Sequence, residues 1–168
     1  VGTAGDQAQM GGVLSGVTFR LNTGGGADEV EIGQDLDTNF AGILIGNGGT
    51  GTDSITLTDS ADGLDDGYTI SGTSLQKSPL SVDISYSAFE DITLNANPDN
   101  NTINFSGVSS TQTLRLNGLG GNDTFVNTIL DLNTQISGSV VIAGGAGTGD
   151  AVALDDSSDL TADAYTIT

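Results

Sequence analysis

Short runs of alternating apolar and polar residues recur along the chain at a near-constant interval. Seven apolar-any-apolar triplets carry the pattern: Phe19-Arg20-Leu21, Ile43-Leu44-Ile45, Tyr68-Thr69-Ile70, Ile92-Thr93-Leu94, Leu114-Arg115-Leu116, Val140-Val141-Ile142 and Tyr165-Thr166-Ile167. Their central residues are spaced by 24, 25, 24, 22, 26 and 25 positions. Alternation at period two marks a β-strand with one buried face. A strand that returns after each turn-rich interval cannot bury that face alone, but does so by stacking on its neighbours. The expected fold is therefore all-β, a right-handed parallel β-helix (β-solenoid) of about seven rungs of roughly 24 residues, its hand set by the rule for parallel crossovers. Such a stack places Arg20, Leu44, Thr69, Thr93, Arg115, Val141 and Thr166 in one outward row, where Leu44 and Val141 are apolar exceptions. Apolar spacing of three and four is sustained nowhere, so no helix is expected.

A longer repeat encloses the shorter one. FRLNTGGGADEV, from Phe19, returns as LRLNGLGGNDTF, from Leu114, and GGTGTDSITLTDS, from Gly48, returns as GGAGTGDAVALDDSS, from Gly144. The offset is 95 to 97 residues. We expect a single β-solenoid domain over 1–168, with a long repeat over 17–111 and a partial one over 112–168. The same offset maps Asp6, Ala8 and Met10 onto Asn101, Ile103 and Phe105, which makes the first 16 residues a partial rung. The stretch from Ser71 to Leu94 departs from the rule: Lys77 and Pro79 replace the glycine-aspartate turn, and a second strand-like run, Ser81 to Tyr86, follows. The opening at Val1 reads as a processed or excised chain.

Charge narrows the possible partners. Against 22 acidic residues stand three basic ones, Arg20, Lys77 and Arg115, for a formal net charge of -19. Phosphate backbones and anionic membranes are repelled, so no nucleic-acid partner is expected. No apolar run approaches the roughly 20 residues of a membrane helix, and no membrane insertion is expected. The chain has no His and no Cys. The commonest general base, thiolate nucleophiles and imidazole metal sites are thereby excluded.

The glycine clusters hold the remaining candidate chemistry. GGTGTDSIT, Gly48 to Thr56, fits the nonapeptide GGxGxDxUx, with U a large apolar residue, at every specified position. Looser versions surround Asp28, Asp123 and Asp150. In these residues the chain resembles the RTX, or hemolysin-type, repeats of secreted bacterial proteins. That resemblance implies glycine turns with inward carbonyls, and calcium held by Asp28, Asp53, Asp123 and Asp150. The pattern departs from the family in one respect: these aspartates lie a rung or more apart, not nine residues apart in tandem. A competing reading gives the glycines a tight-turn role and has each Asp or Asn bond its own turn backbone. Asp59, Asp62, Asp65 and Asp66, with their counterparts Asp156, Asp159 and Asp163, lack EF-hand spacing and read as solvated loops.

Over nearly its full length the chain also looks like the long, loosely RTX-like repeats of very large secreted bacterial proteins. Tyr86, Phe89, Glu90, Ile92, Leu94, Gly118, Gly120, Gly121, Asn122, Asp123 and Phe125 carry that likeness. It implies an extracellular or cell-surface place and no enzyme activity. We expect a structural subunit of a filament, sheath or surface stalk, self-associating head to tail or continued by covalently linked repeats. A calcium-binding adhesin module is the alternative, with glycans as a partner class. A polysaccharide lyase or hydrolase is a further alternative, and would need two facing carboxylates such as Glu29 with Asp53, or Glu90 with a neighbouring Asp. The sequons at Asn100, Asn104 and Asn122 are candidate glycosylation sites.

Overall fold

A computed structural model describes residues 2–79, 82–129 and 131–159. The chain opens with β1 (Gln7–Met10), β2 (Thr18–Asn22), β3 (Gly25–Gly26) and β4 (Glu29–Gly33). One helical turn, α1 (Leu36–Asn39), precedes β5 (Ile43–Asn47), β6 (Thr50–Gly51) and β7 (Ser54–Thr58). Then come β8 (Gly67–Ser71), β9 (Ser74–Ser78), β10 (Val82–Ser87) and β11 (Asp91–Asn95). They are followed by β12 (Thr102–Ser106), β13 (Thr113–Asn117) and β14 (Thr124–Asn127). A second helical turn, α2 (Leu132–Gln135), leads to β15 (Ser139–Ala143) and β16 (Ala151–Ala153).

The fold is all-β, and its longer strands divide between two sheets. A parallel sheet runs β1-β4-β7-β11-β13-β15, and a mixed sheet runs β16-β14-β12-β8-β9-β10-β5-β2. The short β3 and β6 pair separately at a glycine turn. Outside the hairpin β8-β9-β10, the chain visits the two sheets alternately. Strands β1, β2 and β4, and strands β11 to β14, start 11 residues apart in succession.

Register explains the core. In the parallel sheet Ala8, Val30, Ile55, Ile92, Leu114 and Val140 stack in one column, and Met10, Ile32, Leu57, Leu94, Leu116 and Ile142 in the next. Period-two alternation puts both columns on one face, and the residues between them point outward. The inward residues of the mixed sheet, such as Leu44, Leu75, Ile70, Phe105 and Phe125, belong to the same hydrophobic cluster. Each buried aliphatic contributes on the order of 1.5–3 kcal/mol over its exposed state, so the columns are the main source of stability.

Two expectations are corrected here. The first is the single column of triplets: those at Phe19, Ile43 and Tyr68 lie in the mixed sheet, and those at Ile92, Leu114 and Val140 in the parallel sheet. The triplet at Tyr165 lies outside the described residues. The antiparallel pairs β8-β9 and β9-β10 keep the chain in one sheet for three strands, and β10 returns parallel to β5. The hairpin therefore replaces one crossing between sheets, and a 24-residue step from Tyr68 to Ile92 ends in the other sheet. The same arrangement governs the long repeat. Its offset carries β1, β2, β4, β5 and β7 onto β12, β13, β14, β15 and β16, each time in the opposite sheet. Within the Ile43 triplet the facing is also reversed: Leu44 is fully buried and Ile43 is 46% exposed, because Phe19 pairs with Leu44. Leu44 is thus no apolar exception in an outward row.

The second is helix. Two single turns form where Asp35 and Asp131 cap them, their side chains accepting from the Thr38 and Thr134 N–H groups at 2.9 and 3.1 Å. No helix among the described residues is long and apolar enough to cross a membrane.

Candidate functional site

Where the chain turns into a strand, the backbone N–H just before the strand has no place in the sheet ladder, yet needs an acceptor if buried. The aspartates of the glycine turns supply it, bonding the turn of the neighbouring strand and not their own. Ahead of the parallel sheet, the Asp6 N–H donates to Asp28 Oδ1 at 2.6 Å, the Asp28 N–H to Asp53 Oδ1 at 2.8 Å, and the Asp53 N–H to Glu90 Oε2 at 2.8 Å. Ahead of the mixed sheet, the Asp66 N–H donates to Asn101 Oδ1 at 3.3 Å, the Asn101 N–H to Asp123 Oδ1 at 2.9 Å, and the Asp123 N–H to Asp150 Oδ1 at 3.0 Å. The four sequence-predicted aspartates are thus brought together in pairs: Asp28 with Asp53 in one ladder, Asp123 with Asp150 in the other.

Each ladder leaves oxygens over. Oδ2 of Asp28, Asp53 and Asp123 is buried without a hydrogen-bond partner. Asn101 shows what such an atom position offers: its Nδ2 donates to the carbonyls of Asn97 and Asp99 at 3.0 and 2.8 Å. At Asp123, the next residue in that ladder, an oxygen takes the place of this amide. Burial pushes the Asp123 carboxyl above its usual range, the hydrogen bond from Asn101 opposing it and the charge of Asp150 adding to it. Glycine is required beside these carboxylates, since a Cβ on Gly118 would lie 2.0 Å from Asp123 Oδ2 and 2.6 Å from the Gly144 carbonyl.

A second constellation went unread in the sequence. Period-two alternation along β9 turns Leu75 and Lys77 inward, and Lys77 is 3% exposed. Its Nζ lies 2.6 Å from Asp37, 2.8 Å from Asp66, and 3.0 Å from both Asp59 and Asp62. The Tyr68 hydroxyl donates to Asp59 Oδ2 at 2.7 Å, and Asn97 Nδ2 donates to Asp66 Oδ2 at 2.7 Å. The expected solvated loop is thereby corrected at Asp59 and Asp66, which are 0% and 5% exposed around a cation, whereas Asp65 is exposed as expected and Asp163 lies outside the described residues. The available signal was an inward-phased lysine in a chain with only three basic residues.

Burial pushes the Asp66 carboxyl up to about 6, with Lys77 opposing the shift, and raises Asp37 for the same reason. At Asp62 burial is outweighed by the hydrogen bonds from Lys77 and the Gly63 N–H, and its pKa falls. For Lys77, desolvation acts downward, but hydrogen bonds to the four carboxylates win and hold it well above the ordinary lysine range. The ammonium is therefore a permanent charge, unsuited to act as a base.

Two groups of three carboxylates have oxygens within 4.8 Å of one another among the described residues: Asp37, Asp62 and Asp66, and Asp131, Asp156 and Asp159. Neither includes a sequence-predicted metal residue. The first already encloses the Lys77 ammonium. The chemistry of the predicted turns nonetheless suits a hard cation, since carboxylate and carbonyl oxygens are calcium donors.

Glu90 closes a ladder, and Glu29 accepts from Gln7 Nε2 at 2.9 Å on the outer face of the parallel sheet. Asn100 and Asn122 form a turn ladder of their own: the Asn122 N–H donates to Asn100 Oδ1 at 2.7 Å, and the Gly149 N–H to Asn122 Oδ1 at 2.9 Å. Asn104 lies on β12, half-buried. Arg115 reaches Asp91 at 3.4 Å, whereas Arg20, its counterpart in the long repeat, has no ion pair with the described residues. No family model, curated protein or solved structure matches the chain.

Proposed function

We propose that the protein is an extracellular structural element: a right-handed β-solenoid whose repeats stack end to end in a filament, sheath or surface stalk, with no catalytic role. The observation that carries this reading is the contrast between the middle of the sheets and their edges. Leu44 and Phe125, inside the mixed sheet, are 0% exposed. Their register partners on the outermost described strands, Phe19 and Val152, are 40% and 53% exposed. A further parallel strand laid on either edge would extend the same columns and use the open hydrogen-bonding groups. The internal repeat offers a precedent, since β13 and β14 of the second copy lie in register on β11 and β12 of the first. Electron microscopy at high protein concentration tests the proposal. Rods of variable length are expected, and single-sized compact particles at every concentration would overturn it.

A calcium-binding surface module, in the manner of the RTX-like repeats, is the second reading. It is favoured by the unpartnered buried oxygens of Asp28, Asp53 and Asp123. Asp28 with Asp53, and Asp123 with Asp150, would each hold an ion, which would supply the positive charge that those oxygens lack. Calcium at about 100 times its Kd should add about 2.7 kcal/mol of stability. A melting temperature identical in calcium and in chelator would remove this reading.

A further inference from the structure

The outer faces of the two sheets differ in charge. Among the described residues, Asp83 is the one acid at an outward strand position in the mixed sheet, and Arg20 is its only basic counterpart. The centre of that face is hydroxyl and amide: Thr69, Gln76, Ser85 and Asn104. The outer face of the parallel sheet carries Glu29, Glu31 and Asp91 against Arg115, and the other described acids lie in the turns and α1. On a chain of charge -19, the mixed sheet offers, among the described residues, the broad strand face where two copies meet with the fewest opposing carboxylates.

That face is also apolar at one place and self-complementary there. Ile43 is 46% exposed and Ile45 half-buried, side by side on the outside of β5. Arg20 on β2 is the register partner of Ile45, and Asp83 on β10 is the register partner of Ile43. The two opposite charges therefore flank β5 diagonally, about 10 Å apart across the strands and about 7 Å along them, with their midpoint between the isoleucines. Both are exposed, and neither makes an ion pair or side-chain hydrogen bond with the described residues.

We propose that this face is a homodimer interface, on a two-fold axis that lies between the two faces, over β5 midway between Ile43 and Ile45 and perpendicular to the Arg20–Asp83 diagonal. The axis sets Arg20 of each copy against Asp83 of the other, so both charges are paired twice, and it gathers the four isoleucines at the centre. A neutral polysaccharide is the competing occupant. The depression of about 320 Å3 beside the hairpin, lined by Gly67, Thr69, Gln76, Lys77, Ser78, Val82 and Asp83, has no aromatic ring on which a sugar could stack.

This pairing does not depend on end-to-end stacking. It gives a closed dimer, whereas stacking gives an open series of sizes. Sedimentation equilibrium of the full chain at about 0.15 M salt, where charge repulsion between copies is screened beyond about 8 Å, is the test. Below the concentrations at which rods form, a monomer–dimer equilibrium is expected, with Arg20→Glu and Asp83→Arg each weakening it by about tenfold and the double exchange restoring it. Both positions are exposed, and circular dichroism of each variant checks that the fold is retained. A monomer at all concentrations, a dimer indifferent to both substitutions, a double variant that stays weakened, or a monomer that binds neutral polysaccharide through this face would each overturn the proposal.

Discussion

Replacing Lys77 by methionine keeps an unbranched side chain one atom shorter and deletes the ammonium, with its charge and its N–H donors. Four carboxylates within 3.0 Å of the ammonium would then share a buried space with no cation. Removing one partner from a buried ion pair costs about 3–5 kcal/mol, and with four partners stranded we expect the upper end at neutral pH. That loss is comparable with the whole stability of a marginal domain, about 5–15 kcal/mol. Its pH dependence makes the prediction specific. The Asp66 carboxyl sits at about 6 in the folded protein even beside the lysine, above its ordinary value of 3.8. Between those values the folded chain binds more protons than the unfolded one, so Asp66 detracts from stability above about pH 6 and the deficit is relieved on acidification. Without the ammonium, Asp66 and Asp37 must rise further, so the difference between variant and parent should shrink from about pH 7.5 to about pH 5. Urea unfolding followed by circular dichroism at both pH values measures it. A deficit below about 1 kcal/mol at neutral pH, or one that does not change with pH, would refute the caged-lysine argument.

Other substitutions test the ladders and the core by the same assay. Asp53→Ala leaves the buried Asp28 N–H without its acceptor and should cost about 1–3 kcal/mol, while Asp53→Asn should cost less, since Asn101 Oδ1 accepts from the Asp66 N–H at the equivalent place in the other ladder. If calcium binds, Asp53→Asn should also diminish the calcium-induced rise in melting temperature. Gly51→Ala should destabilise by more than about 2 kcal/mol, because φ is +143° and a Cβ would lie 1.6 Å from the Gly26 carbonyl. Gly11→Ala, with nothing within 4 Å, is the control and should be close to neutral. Leu94→Ala, at the centre of the parallel sheet, should cost about 2–5 kcal/mol, and a cost below 1 kcal/mol would deny the column.

The strands were legible because their signal is local. Ile92-Thr93-Leu94 and Leu114-Arg115-Leu116 alternate as buried strands do, and the structure pairs them residue for residue. The sheet that each strand joins was not legible, because a 24-residue step is the same length whether the chain makes a second crossing or a hairpin. Lys77 and Pro79 marked the irregular stretch, but a break in a pattern does not say what replaces it. The aspartates were found through their glycine neighbours, and the carboxylate ladder follows from stacked turns. Their bonding to the adjacent turn depends on three-dimensional register, which spacing alone does not fix. Asp59 and Asp66 were misread for a related reason: an acidic loop is buried only if a cation meets it, and Lys77 arrives from a strand 11 residues after Asp66. The Ile43 triplet misled because all three residues are apolar, which leaves its facing open.

The central claim is the alternation of strands between two sheets with the hairpin as its one exception, and cysteine pairs test it directly in a chain that has no cysteine of its own. Thr56 and Thr93 are register partners on β7 and β11, close enough for a disulfide if parallel strands are spaced about 4.8 Å apart. Thr69 and Thr93 would be neighbours only if the triplets formed one column. Under mild oxidation the pair Thr56→Cys with Thr93→Cys should cross-link fully within the folded monomer, and Thr69→Cys with Thr93→Cys should not. The reverse outcome would contradict the fold described here.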